Sequence, residues 1–109
     1  MKRLVVSASA RRDIADALQH SVRRWGPAQR RQYRALIENT LGDLLEHPEH
    51  PASRRRDDIR PGIRTFHIAR RGRTARHFIV YRIASNGDIH VLRLLHDAMD
   101  LSRALADVP

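Results

Sequence analysis

The sequence predicts a two-layer α+β domain in which a helical hairpin covers one face of an antiparallel sheet of about four strands. Three observations lead there. Apolar residues recur at helical spacing through the first half of the chain, and three short β-branched or apolar runs follow in the second half. Asn86-Gly87 stands between the last two runs, and that dipeptide is the strongest short hairpin signal. Helices confined to one stretch and strands to another segregate into layers. The 109 residues fit a single domain over 1–109, long enough to bury a core.

The elements follow in the order β-α-α-β-β-β. LVV at 4–6 is β-branched and bounded by Ser7, which reads as a strand. Ile14, Leu18, Val22 and Trp25 then fall on one helical face, with Ser7 or Ser9 as N-cap, Asp13 and Asp16 near the positive end and Gly26 as the stop. Pro27 suits the first turn of a second helix, where its missing N–H is not needed. Tyr33, Leu36, Ile37, Leu41, Leu44 and Leu45 keep the helical period until Pro48 and Pro51 forbid it. With almost no loop between them, the two helices must fold back on each other. The stretch 52–62 is polar, closes with Pro61-Gly62 and reads as a loop.

Strands are expected at 63–69, 77–83 and 89–96, with the short first strand beside the last. Side chains alternate along a strand, so His90, Leu92, Leu94 and His96 share one face and Val91, Arg93 and Leu95 the other. The simplest arrangement packs His90, Leu92 and Leu94 on the helices and leaves Val91, Arg93 and Leu95 on an open, groove-like face. The competing arrangement pairs Arg93 with an acidic residue of the second helix. The residues expected in the core are Ile14, Leu18, Val22, Ile37, Leu41, Leu44, Val80 and Leu92, with Trp25 and Tyr33 beside them on the helices.

Composition removes several kinds of chemistry. No cysteine is present, so neither a disulfide framework nor a thiolate site is available. The seven histidines lack the spacing that sets two on one helix face, and His47 and His50 flank Pro48 in a loop, so neither a metal nor any other cofactor is expected. No run approaches the ~20 apolar residues of a membrane helix, which makes a cytoplasmic protein with no membrane partner the expectation. Charge points the other way, toward an anionic partner. The formal net charge is +9, and residues 54–82 hold ten arginines against two aspartates. That suits nucleic acid or an acidic protein, with a merely solvated basic face as the alternative.

The stretches RPGIRTF (60–66), HFIVYRI (77–83) and above all VLRLLHDAMDLSRAL (91–105), with SASARRDIADA (7–17) and RWG (24–26), resemble the ParE branch of the ParE/RelE toxin superfamily across almost the whole chain. The resemblance implies the toxin half of a type II toxin–antitoxin pair, such as serves plasmid stabilisation in bacteria. ParE members inhibit DNA gyrase and are neutralised by ParD-like antitoxins, whereas RelE members cut messenger RNA on the ribosome. The two branches share a fold, so residues must separate them. The catalytic branch carries a cluster of lysines and arginines with a late tyrosine. Here the sole lysine is Lys2, no tyrosine follows Tyr81, and the matching stretch reads LLHDAMDL.

The non-catalytic ParE reading is therefore preferred, with no catalytic residues. The alternative is a metal-free messenger RNA endonuclease using Arg82, Arg93 and His96, because an imidazole titrating near pH 6.5 can serve as acid or base. A lower alternative is a basic nucleic-acid-binding module. For antitoxin binding the expected residues are Arg64, Arg82, Val91, Arg93 and Leu95. For target binding they are Arg71, Arg73, Arg76, His96, Asp97, Met99 and Arg103, several of them in or beside the projecting RRGRTAR loop at 70–76. The expected antitoxin is small and acidic, with a segment disordered until it lies across the sheet and hairpin to form a hetero-oligomer.

Overall fold

A computed structural model describes residues 2–69, 75–106 and 108. The order is β1 (Leu4–Val6), α1 (Ala8–Trp25), α2 (Pro27–Glu46), β2 (Arg54–Arg55), β3 (Arg64–His67), β4 (His77–Ile83), β5 (Ile89–His96) and α3 (Leu101–Ala104). The strands form one sheet in the order β1-β5-β4-β3-β2, with β1 parallel to β5 and every other pair antiparallel. The fold is thus α+β, with a mixed five-stranded sheet where about four antiparallel strands were expected. The added strand, β2, is two residues long and lies within the stretch read as loop.

Ser7 decides where α1 begins. Its hydroxyl oxygen accepts from the Ala10 amide at 3.0 Å, its hydroxyl donates to the Leu92 carbonyl at 2.8 Å, and its own amide donates to the Val91 carbonyl. One residue therefore caps the helix and pins it to β5. Gly26, at φ 92°, is the only residue between α1 and α2, and Pro27 opens the second helix. A side chain is poorly tolerated at that angle, which is why the turn can be one glycine long.

Between the helices and the sheet lies the larger core, including Ala10, Leu18, Ile37, Leu44, Phe66, Ile79, Tyr81, Ile89, Val91 and Leu94. Ile14 and Leu41 pack against it half-buried, as does Tyr33. Val22 is half-buried as well. The Tyr81 hydroxyl donates to the Pro48 carbonyl at 2.6 Å and ties the end of the helical hairpin to the sheet. Trp25, expected in the core, is 65% exposed, because it is the last residue of α1 and the chain turns away immediately after it.

A β-bulge overturns the expected faces of β5. Val80 pairs with Arg93 but Tyr81 pairs with Val91, so Leu92 is an extra residue and the alternation shifts there by one position. Val91 and Leu94 consequently face the helices, while Leu92 and Leu95 join a second core on the opposite side. That second core contains Ile63, Val80, Leu95 and Leu105 fully buried, with Ile59, Phe78, Leu101, Ala104 and Val108 packed against it. Val80 and Leu92 thus pack away from the helices. The face expected to be open is covered by the chain's own C-terminal segment.

Candidate functional site

β4 begins where β5 ends, and the register sets His77 opposite His96. Their rings meet edge to face at 5.4 Å between centroids. From α2, the Tyr33 hydroxyl lies 2.6 Å from His77 Nδ1 and accepts the Arg76 amide at 3.3 Å. The hydroxyl thus joins the Arg76 backbone to the His77 ring, and the tautomer of His77 sets which of the two donates in the shorter bond. Burial pushes the Tyr33 hydroxyl above its ordinary pKa, so it stays protonated.

Asp97 organises the rest of this end. Its carboxylate takes His67 Nε2 at 3.0 Å on one oxygen and Arg76 Nε at 3.1 Å on the other, while its amide donates to the Arg76 carbonyl at 2.7 Å. The His67 hydrogen bond, and then Arg76, hold the carboxyl below the usual range. His96 Nδ1 accepts from the Ala98 amide at 3.1 Å. Four sequence-nominated residues, Arg76, His96, Asp97 and Met99, are therefore gathered at one end of the sheet, and Met99 is 47% exposed. Arg103 is exposed on α3, which Asp100 caps. Arg71 and Arg73 lie outside the described residues.

His77 is pushed down to about 4, by burial first and by neighbouring His96 second. An unfolded imidazole titrates near 6.5, so between pH 6.5 and about 4 the unfolded chain takes up a proton that the folded His77 refuses. Stability is then fully present above that window and falls as the pH drops through it. Discounted for partial solvent screening, the expected loss between pH 7 and 4 is about 1 to 2 kcal/mol. His77→Gln, which keeps an acceptor for Tyr33 but does not titrate, should flatten the urea midpoint over that range by the same amount. An unchanged slope would show that His77 is not the group responsible.

Arg93 sits elsewhere. β1 is three residues long, so the outer edge of β5 beyond Val91 has no strand beside it, and α1 serves that edge instead. Asp13 accepts Arg93 Nε at 2.6 Å on one oxygen and Nη2 at 3.0 Å on the other, and also accepts the Leu94 amide at 3.1 Å. The two side chains are 24% and 16% exposed. Arg93 is thus paired, as the competing arrangement required, but through the first helix and not the second.

These placements separate the residues nominated for catalysis. Arg82 pairs in register with His90, six positions from His96 along β5, which is ~20 Å at strand rise. Arg93 is held on the outer edge by Asp13. The three do not converge on one substrate atom. Among the five nominated for antitoxin binding, Val91 and Leu95 are each 2% exposed, one beneath the helices and the other beneath the C-terminal segment. Arg64 donates to Ser53 Oγ at 2.8 Å, and Arg82 to the Pro61 carbonyl at 3.4 Å with its stem against Gly62. Both remain partly accessible on the flank that carries β2 and β3.

Asp13, His67, Tyr33 and His77 were not nominated from the sequence. His77 had a signal: counting outward from Asn86-Gly87 as the two central turn residues sets it opposite His96, a pairing the structure reaches through the Ile83–Ile89 register and the bulge. Among the described residues, no group of three or more His, Asp or Glu could hold a metal ion, and no helix is long and apolar enough to cross a membrane.

Comparison with known proteins adds a family. The model for the ParE toxin of type II toxin–antitoxin system, parDE, matches residues 4–101. Toxin ParE1 of Mycobacterium tuberculosis is 29% identical over 103 residues, covering 94% of this chain and 97% of that protein. Toxin ParE1 of Caulobacter vibrioides is 27% identical over 100 residues, covering 92% and 94%. A solved structure described as the chromosomal ParDE TA system from P. aeruginosa shares the fold, with a TM-score of 0.71 at 21% identity over 88% of this chain and 96% of that one.

Proposed function

The chain belongs to the ParE toxin family of type II toxin–antitoxin systems, and from that premise we propose that it acts in the cytoplasm by binding, with DNA gyrase as its target and a ParD-like acidic antitoxin as its neutralising partner. The observation that carries this reading is the family match along residues 4–101. The dispersal of Arg82, Arg93 and His96 supports binding over cutting, since RNA cleavage needs an acid, a base and cations around one phosphate.

Two surfaces divide the work. The basic flank that carries Arg64 and Arg82, next to the exposed edge strand at Arg54 and Arg55, meets the antitoxin's carboxylates. Arginines on a free sheet edge offer an extended acidic segment both backbone and charge partners. The opposite end, with Arg76, His96, Asp97 and Met99, meets the target. Charge steering should speed capture of the antitoxin and weaken with added salt.

Induced expression in bacterial cells tests the reading. Filamentation and a DNA-damage response, both abolished when the neighbouring antitoxin is co-expressed, are the expected results. Translation arrest with cut transcripts would replace this reading with the endonuclease one.

A further inference from the structure

The helical hairpin carries a charge pattern that neither proposed surface uses. Residues 17–37 contain Arg23, Arg24, Arg30, Arg31 and Arg34 and no aspartate or glutamate. All five are exposed, and none of them is in an ion pair among the described residues. The chain's sole tryptophan, Trp25, stands in their midst at the turn, 65% exposed, with the Arg24 guanidinium 5.4 Å from its ring centroid. An indole exposed among guanidiniums presents an aromatic face on which a planar group can stack.

Next to Trp25 an open cavity of about 480 Å³ runs between the hairpin and the end of β4 and β5. Arg24, Trp25, His20 and Ser21 line one side, and Arg76 and His96 the other. Ser21 is 6% exposed, yet its hydroxyl has no hydrogen-bond partner among the described residues. That oxygen is sealed from solvent, so it lies beneath the cavity floor and out of a ligand's reach. Arg76 is already paired with Asp97, which leaves Arg24 as the unpaired guanidinium of the cavity.

We infer that the hairpin tip is a subsite for single-stranded nucleic acid: a base stacks on Trp25, its phosphate meets Arg24, and the neighbouring phosphates meet Arg23, Arg30, Arg31 and Arg34. The cavity falls within the size range of small-ligand sites and holds one nucleotide. The strand must be single because a duplex keeps its bases in its own stack, whereas an exposed aromatic beside free guanidiniums is how proteins seize unpaired bases. An acidic peptide would satisfy the arginines but leave the indole without its partner. The inference does not rest on the gyrase reading: its stacking residue and its arginines lie outside both surfaces assigned above, and only the cavity's far wall, at Arg76 and His96, is shared with the proposed target surface.

Trp25 supplies its own readout. Titrating the full chain with an oligothymidylate of about ten nucleotides, within the site size of single-strand binders, should quench tryptophan emission saturably. A duplex of equal length should bind at least about 10-fold more weakly. Trp25→Ala, followed by anisotropy of labelled oligonucleotide, should lower affinity roughly 10- to 100-fold, the usual worth of one stacked base. Since the side chain is exposed, the variant's circular dichroism and its antitoxin capture should match the parent's. Arg31→Glu should weaken binding and flatten the dependence of log affinity on log salt by about 0.7 or more.

Four outcomes overturn the inference. Equal affinity for duplex and single strand would mean charge attraction alone. Equal quenching by polyglutamate would mean an acidic-peptide site. A blue-shifted emission with anionic phosphatidylglycerol vesicles and none with oligonucleotide would mean a lipid surface. Unchanged affinity in Trp25→Ala would remove the stacking platform.

Discussion

Asp13→Ala should lower the stability of the fold by about 3 kcal/mol, a large share of the roughly 5 to 15 kcal/mol that holds a domain together. The carboxylate makes three hydrogen bonds, two to the Arg93 guanidinium and one to the Leu94 amide. Removing it strips a mostly buried cation of its bidentate carboxylate and leaves an edge amide with no acceptor, and each loss is costly where water is largely excluded. The pair is not fully dry, which keeps the figure at the lower end of the range for broken buried pairs. Asp16, exposed a turn further along the same helix, is the control, and Asp16→Ala should shift the urea midpoint by no more than about 0.5 kcal/mol equivalent. A double-mutant cycle on Asp13 and Arg93 should return a coupling of about 1.5 to 3 kcal/mol. Equal costs for the two aspartate variants would free Arg93 from a structural role and return it to the binding surface.

The second large effect is expected at the C-terminus. Leu105 is fully buried in the core on the side away from the helices, and it anchors a segment whose Leu101, Ala104 and Val108 pack there only partly buried. Arg60 donates to the Ala106 carbonyl at 2.5 Å and Arg93 to the Ala104 carbonyl at 3.5 Å. Leu105→Ala should cost about 3 kcal/mol, as leucine truncations in cores do, because it leaves a cavity beside Ile63, Val80 and Leu95. Hydrogen exchange at 101–106 should accelerate together with that at β5. A fast-exchanging tail over an unaltered β5 would mean that the segment is a loose cover and not part of the core.

The helices were legible because their boundaries rest on local chemistry: a serine cap at Ser7, a glycine at φ 92° and a proline at the first turn all act within a few residues. β4 and β5 were legible for the same reason, through the Asn86-Gly87 turn. What escaped depends on contacts between distant residues. The bulge at Leu92 leaves the apolar pattern of β5 intact while exchanging which residues face the helices, so a strand apolar on both faces could not report it. Arg93 announced that it needed a partner, but not that the partner would come from Asp13, eighty residues earlier. The cover over Leu95 is a four-residue helix and a turn, too short for periodicity to register. Trp25 has helical spacing with the core residues before it, yet it falls where the helix has run out of sheet to cover.

Several of the site's residues were visible and their arrangement was not. His96, Asp97 and Arg76 stood out as polar groups near strand ends, and the structure joins them through His67, His77 and Tyr33. Those links come from β3 and α2, whose alignment against β4 no local rule supplies.

The central claim is inhibition by binding to gyrase, and a purified supercoiling reaction tests it most directly. With relaxed plasmid, ATP and gyrase, excess chain should abolish the formation of supercoiled product, and prior mixing with the neighbouring acidic antitoxin should restore it. Undiminished supercoiling at excess chain, accompanied by cleavage of messenger RNA on purified ribosomes, would contradict it.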